Sequence, residues 1–215
     1  MFEHLFPGER LERFYVFLGE KGFEALTPFS KGTTSLIFKG KMHERDVIIK
    51  LARPDSPRRN LFREAEIIRV LGGRGITPAL IEYGVFEGLE YMIREFAPGE
   101  PVLYADVEKR HLIEIVKKTA LLDAFGIDHG QIQGGKHIVI GEEVWIIDFE
   151  KAGFRKPKNL TSALAMLFLN ENSISRRIRT KFGIGEEFLE LLRGAAAEYK
   201  RTGDAGRIIS LLSRF

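Results

Sequence analysis

A chain of 215 residues, 44% hydrophobic and 29% charged, is long enough to bury a core in one large domain or in two small lobes that share a cleft. It holds no cysteine, which excludes disulfides, thiolate metal sites and thiol nucleophiles, and its many charges beside few Asn and Gln follow the pattern of heat-adapted proteins. The net charge is only +3, yet basic residues gather in "RRNLFR", "KAGFRKPK", "SRRIRTK" and "EYKR", each a solvated helix face or a site for a polyanion.

In chain order, residues 8–22 place Leu11, Phe14, Tyr15 and Leu18 at helical spacing, with an end near Gly19 or Gly22. "SLIFKGK" and "RDVIIKLA" are short β-branched or aromatic runs about the turn-like "GKMHERD", a predicted hairpin. "SPRRNLFREAEIIRVLGG" reads as a helix opened by Ser-Pro and closed by two glycines, with Leu61, Ala65, Ile68 and Leu71 on one stripe. Two strands follow about "FEGLE", then "VEKRHLIEIVKKTALLDAFG" as a helix, the short strands "HIVIG" and "VWIIDFE", and helix from Leu160 onward. The predicted class is α+β, with an N-terminal lobe (1–96) of helix, antiparallel sheet and helix, and a helical C-terminal lobe (97–215) beyond a hinge near "EFAPGEP". The apolar runs, such as "LTSALAMLFL", are too short to span a bilayer, and the first residues lack the basic-then-apolar order of a secretory signal, so a soluble cytoplasmic protein is expected.

Three places carry chemistry. Lys31, Gly32, Thr33, Thr34 and Ser35 stand between two strands, where N–H groups and hydroxyls suit phosphate oxygens, although Gly-Thr-Thr-Ser is also an ordinary turn. Lys50 ends a buried apolar run and needs a partner from the next helix, Glu64 or Glu66, of which Glu64 lies closer to the inward stripe. That pair is either a surface bridge worth under about 1 kcal/mol or a clamp on a nucleotide's α- and β-phosphates. Four apolar residues run into Asp148, a costly strand end unless its carboxylate caps the next turn or meets a cation such as Mg²⁺.

In this order, with "DHGQIQGGKHIVI" between them, these parts resemble the protein-kinase superfamily, in particular its RIO and aminoglycoside phosphotransferase branches, over about residues 27–170. "KGTTS" takes the place of the glycine-rich loop and "IDFE" that of Asp-Phe-Gly, while "REFAPG" resembles the hinge, implying adenine contacts near Glu95 and Ala97. A sharper similarity is to archaeal RNA kinases, whose loop reads Asp-His-Gly-Gln and whose metal motif reads Asp-Phe-Glu. That resemblance implies an ATP- and Mg²⁺-dependent enzyme that phosphorylates a ribose 2′-hydroxyl of a uridine in the tRNA core. The chain departs from larger protein kinases in having one loop glycine, no Ala-Pro-Glu signature and no long activation segment.

Gln131 stands where such loops carry their carboxylate base; Asp128 is the only carboxylate there and is assigned the role, with His129 as holder of the loop or alternative base. Gln131 and Gln133, the chain's only glutamines, are expected to hydrogen-bond to metal or substrate, and Lys136 or His137 falls near a second metal position. Arg155, Lys156 and Lys158, with Arg176, Arg177, Arg179 and Lys181, form two candidate patches for RNA phosphates, and no aromatic stacking platform is evident. A small protein serine kinase, a small-molecule kinase and an inactive nucleotide- or RNA-binding module are the competing readings.

Overall fold

The structure, a computed structural model, describes residues 7–56 and 60–214. It is an α+β chain that divides into two compact units, Met1–Ala97 and Pro98–Phe215.

In the first unit α1 (Gly8–Glu20) precedes β1 (Glu24–Lys31), β2 (Ser35–Met42) and β3 (Arg45–Ala52); α2 (Leu61–Leu71), β4 (Leu80–Phe86) and β5 (Leu89–Glu95) follow. The five strands form one antiparallel sheet ordered β1-β2-β3-β5-β4, with β3 in the middle. A central strand is covered on both faces, so apart from Lys50 its sequence runs apolar from Val47 instead of alternating, and Val47 to Ala52 are all buried. The two tight hairpins turn on left-handed pairs, His43–Glu44 (φ 47° and 66°) and Glu87–Gly88 (φ 45° and 79°), whose twist matches that of the flanking strands.

The predicted stripe of α1 faces the sheet: Phe14 and Leu18 are fully buried, and the Phe14 ring lies 5.7 Å from that of Phe38 and 5.0 Å from that of Phe86. Each such side chain contributes roughly 1.5–3 kcal/mol by leaving water. The helix stops at Glu20 because Gly22 turns left-handed (φ 85°) and lets the Phe23 N–H return to the Leu18 carbonyl at 3.1 Å. The second helix departs from expectation: it begins at Leu61, not at Ser56, whose N–H instead closes a turn onto Arg53. Its first N–H groups, those of Leu61 and Phe62, donate to the carboxylate of Glu90 on β5 (3.0 and 3.3 Å), so a distant residue does the capping. Pro57, Arg58 and Arg59, where the Ser-Pro start and part of the first basic cluster fall, lie outside the described residues.

The second unit holds a three-stranded sheet of β6 (Glu100–Pro101), β8 (Ile138–Ile140) and β9 (Val144–Ile146), and a two-stranded ribbon of β7 (Ile127–Asp128) and β10 (Gly153–Phe154). Its helices are α3 (Lys109–Ala124), α4 (Asn159–Leu164), α5 (Ser173–Phe182), α6 (Glu186–Thr202) and α7 (Gly206–Leu212). Along α3 Leu112, Ile115, Val116, Thr119 and Leu122 recur at helical spacing and are buried. Two expectations shift. The strand toward Asp148 ends at Ile146, leaving Asp148 in the loop beyond it. The helix from Leu160 is not continuous: α4 widens into a π-turn over Ala165–Leu169, the chain extends at Asn170, and α5 restarts with the Asn172 side chain accepting from Ser175 N–H at 2.9 Å. Among the described residues no helix is long and apolar enough to cross a membrane.

Candidate functional site

In the first unit the central strand delivers Lys50, opposite Ile37 and Met92, and α2 delivers Glu64. The Lys50 Nζ donates to both oxygens of Glu64, at 2.8 and 2.9 Å. Lys50 is 4% exposed and Glu64 0%, so the alternative of a solvated surface bridge is overturned. Glu66 points elsewhere, to the Tyr83 hydroxyl and to Arg69.

The loop Lys31–Ser35 is closed by Gly32 N–H donating to the Ser35 carbonyl at 2.9 Å; Thr34 and Ser35 are buried, Lys31 and Thr33 exposed. Arg53, which the sequence did not single out, staples this loop to the end of β3: its N–H donates to Thr34 O (2.8 Å) and its Nη1 to Gly32 O (3.1 Å), while Asp55 holds the other edge of the guanidinium at 2.9 Å. Gly32 N–H is therefore engaged within the protein, which narrows the expected phosphate cradle. At the end of β5 the Glu95 N–H donates to Ala79 O and its carbonyl accepts from Arg94 Nη1, both within the protein; Ala97 is buried.

In the second unit Asp128 ends β7 and is nearly covered, with Arg155 Nε donating to its Oδ2 at 2.6 Å. Register explains the meeting: Gly153 on β10 faces Asp128, and the Arg155 N–H continues the ribbon to Gly126 O. Gly130 makes room for the guanidinium. A Cβ there would lie 2.7 Å from Arg155 Nη2, and its φ of 79° favours glycine independently.

His129 is completely buried, and its Nε2 faces the Ile147 carbonyl at 2.9 Å. A carbonyl only accepts, so Nε2 carries the proton; Nδ1, buried without a partner among the described residues, keeps its lone pair. Burial pushes the imidazole down to about 4, holding it neutral. The ring packs edge-on to Phe149 at 4.8 Å. These contacts fix His129 in place as a support for the loop.

The loop has further anchors that the sequence reading missed. Asn159, at the start of α4, accepts from His129 N–H (2.8 Å) and donates to Ile127 O (2.6 Å) and Asp123 Oδ1 (2.7 Å). Asp123 also receives the Asn159 and Leu160 N–H groups and the Tyr199 hydroxyl. That carboxylate and burial together push the Tyr199 phenol up, burial being the larger cause. A signal existed: an acidic residue in the last turn of α3 opposes the helix dipole and calls for a local reason.

Asp148 adopts a left-handed backbone (φ 66°), uncommon for a residue with a side chain and frequent at functional positions. Its carboxylate is 32% exposed, with Oδ2 3.4 Å from His137 Nδ1. Gln131 and Gln133 flank Ile132, whose buried side chain pins a short 3₁₀ turn; Gln131 is half-buried, and Gln133 and Lys136 are exposed. Among the described residues no group of three or more His, Asp or Glu gathers to hold a metal.

The two basic patches differ. Lys156 and Lys158 are exposed, whereas Arg177 donates to the carbonyls of Leu103 (2.8 Å) and Val102 (2.6 Å), Arg179 pairs with Glu171 (2.6 Å) and Lys181 with Asp106. Arg176 lies 3.7 Å from the same Glu171. The second patch thus sets two carboxylates, Glu171 and Asp106, beside its four cations, and ties Arg177 to the backbone. Phe154, next to Arg155 in the chain, is 68% exposed.

No family model matches the chain. Over 115 residues it is 39% identical to "Uncharacterized protein MJ1211" of Methanocaldococcus jannaschii, a match that covers 50% of this chain and 98% of that protein.

Proposed function

The chain belongs to the family of the Methanocaldococcus jannaschii protein, and we propose that it is an ATP- and Mg²⁺-dependent kinase with a minimal protein-kinase-like fold, acting on a ribose 2′-hydroxyl of tRNA. The observation that carries this reading is the buried Lys50–Glu64 pair. Burying two charges costs several kcal/mol per ion, and apolar residues of similar size serve stability at least as well. A lysine kept charged there by a carboxylate suits the α- and β-phosphates of a nucleotide. Adenine contacts then fall to the backbone near Ala97, since both backbone groups of Glu95 are engaged.

Asp148 would hold Mg²⁺, which binds through one or two carboxylates and completes its shell with water and phosphate oxygens, and His137, 3.4 Å from its Oδ2, would orient that carboxylate. Bound there, the ion would neutralise charge on the transferred phosphoryl group. Asp128 orients the acceptor hydroxyl and takes its proton; a loose transition state asks more for positioning than for basicity. Arg155, Lys156, Lys158 and the exposed Phe154 favour a nucleic-acid acceptor over a peptide.

Incubation with γ-labelled ATP and separate tRNA and protein fractions tests this. Label is expected in tRNA and is expected to vanish in Lys50→Ala and Asp148→Ala. Label confined to protein overturns the acceptor, and undiminished transfer by both variants overturns the chemistry.

A further inference from the structure

Arg155 makes two contacts within the protein and still faces water. Its Nε donates to Asp128 at 2.6 Å and its Nη2 approaches Lys151 O at 3.3 Å, yet its side chain is 47% exposed against 11% for Asp128. A guanidinium presents five N–H donors in a planar fork, so donors remain on the Nη edge, which is the shape that recognises phosphate. Gly130 leaves space for this arrangement, and exposed Lys156 and Lys158 add positive charge nearby in sequence.

Resting on the kinase reading above, we propose that Arg155 is a positioning residue that ties recognition of the acceptor to the base. Its Nε orients Asp128, and its outer edge takes a non-bridging oxygen of the phosphodiester on the 3′ side of the acceptor ribose. The 2′-hydroxyl sits on the carbon adjacent to the one that bears this phosphodiester, so one arginine can register both groups at once. The substrate class is then an internal nucleotide of an RNA chain, not a free nucleoside and not a serine. In the transfer, the 2′-oxygen forms a bond to the γ-phosphorus as the bond to the β,γ-bridging oxygen breaks. ADP leaves with that electron pair, and the hydroxyl proton passes to Oδ1 of Asp128 and then to water.

The test uses tRNA whose labelled nucleotide has been mapped, rebuilt from two strands so that the upstream strand ends at that nucleotide with either a 3′-phosphate or a 3′-hydroxyl. For the wild-type protein, losing the phosphate is expected to lower kcat/KM about tenfold to a hundredfold, the effect of one charge-assisted hydrogen bond. Arg155→Ala should show the lower rate on both substrates. Arg155→Lys should recover part of KM but not kcat, because one ammonium cannot serve carboxylate and phosphate in fixed geometry. Equal rates of the wild type on the two substrates would remove the role of Arg155 and leave the kinase reading intact, and this arm decides even if the alanine variant fails to fold. An equal phosphate effect in wild type and Arg155→Ala would also overturn it. No label in any RNA would overturn the RNA acceptor proposed above, on which this role of Arg155 rests.

Discussion

Replacing Glu64 by Ala leaves the Lys50 ammonium on a strand covered on both faces, where it has lost two hydrogen bonds of 2.8 and 2.9 Å and has 4% of its surface in contact with water. Removing one partner of a buried pair costs about 3–5 kcal/mol, because the remaining charge stays desolvated. For a chain of this length that is a fall of roughly 6–20 °C in Tm. The double variant Lys50→Met with Glu64→Leu removes both charges and restores apolar volume, so its stability is expected within about 1 kcal/mol of the wild type or above it. Its phosphotransfer should be absent. Urea denaturation of the three proteins, with the labelled-ATP assay alongside, reads both quantities. A cost below about 1 kcal/mol for Glu64→Ala would mean that the pair behaves as a solvated bridge, and an active double variant would refute a nucleotide role for the lysine.

The His129 ring stays neutral in the folded protein, at about 4 against an ordinary value of roughly 6.5, so between those pH values the unfolded chain binds a proton that the folded one does not. Stability from this group is complete above pH about 6.5 and falls as pH drops toward 4, by up to about 3 kcal/mol; urea titrations should show a shallower slope in His129→Gln, and an unchanged slope would contradict the assignment. Asp148→Gly relieves a left-handed backbone and should raise stability by up to about 1 kcal/mol while abolishing transfer; a loss of stability would show that the φ of 66° carries no strain. Asn159→Ala strands the His129 N–H and should cost about 1–3 kcal/mol with a fall in kcat, and hydrogen exchange at His129 that stays slow would refute its anchoring role.

What the sequence made legible is local. The 3.6-residue spacing of Leu11, Phe14, Tyr15 and Leu18 marked the buried face of α1, and the apolar run before Lys50 marked a covered strand. Helical phase alone separated Glu64, which meets Lys50, from Glu66, which does not. What stayed hidden depends on residues far apart in the chain. Glu90 caps α2 from a strand some 30 positions later, and no helix-start pattern encodes that. Asp128 and Arg155 were both singled out but given separate duties, because their pairing follows from the β7–β10 register, set by two short strands without a periodic signal. Arg177 read as a surface cation, yet two of its donors are taken by carbonyls 74 and 75 residues upstream.

The Tyr199 hydroxyl on Asp123 has a practical consequence. Anyone trimming this protein for crystallisation or fusing a reporter behind it must leave α6 whole, because a segment that looks like disposable trailing helix steadies the Asp123 carboxylate on which Asn159, and through it the stretch around Asp128, is hung.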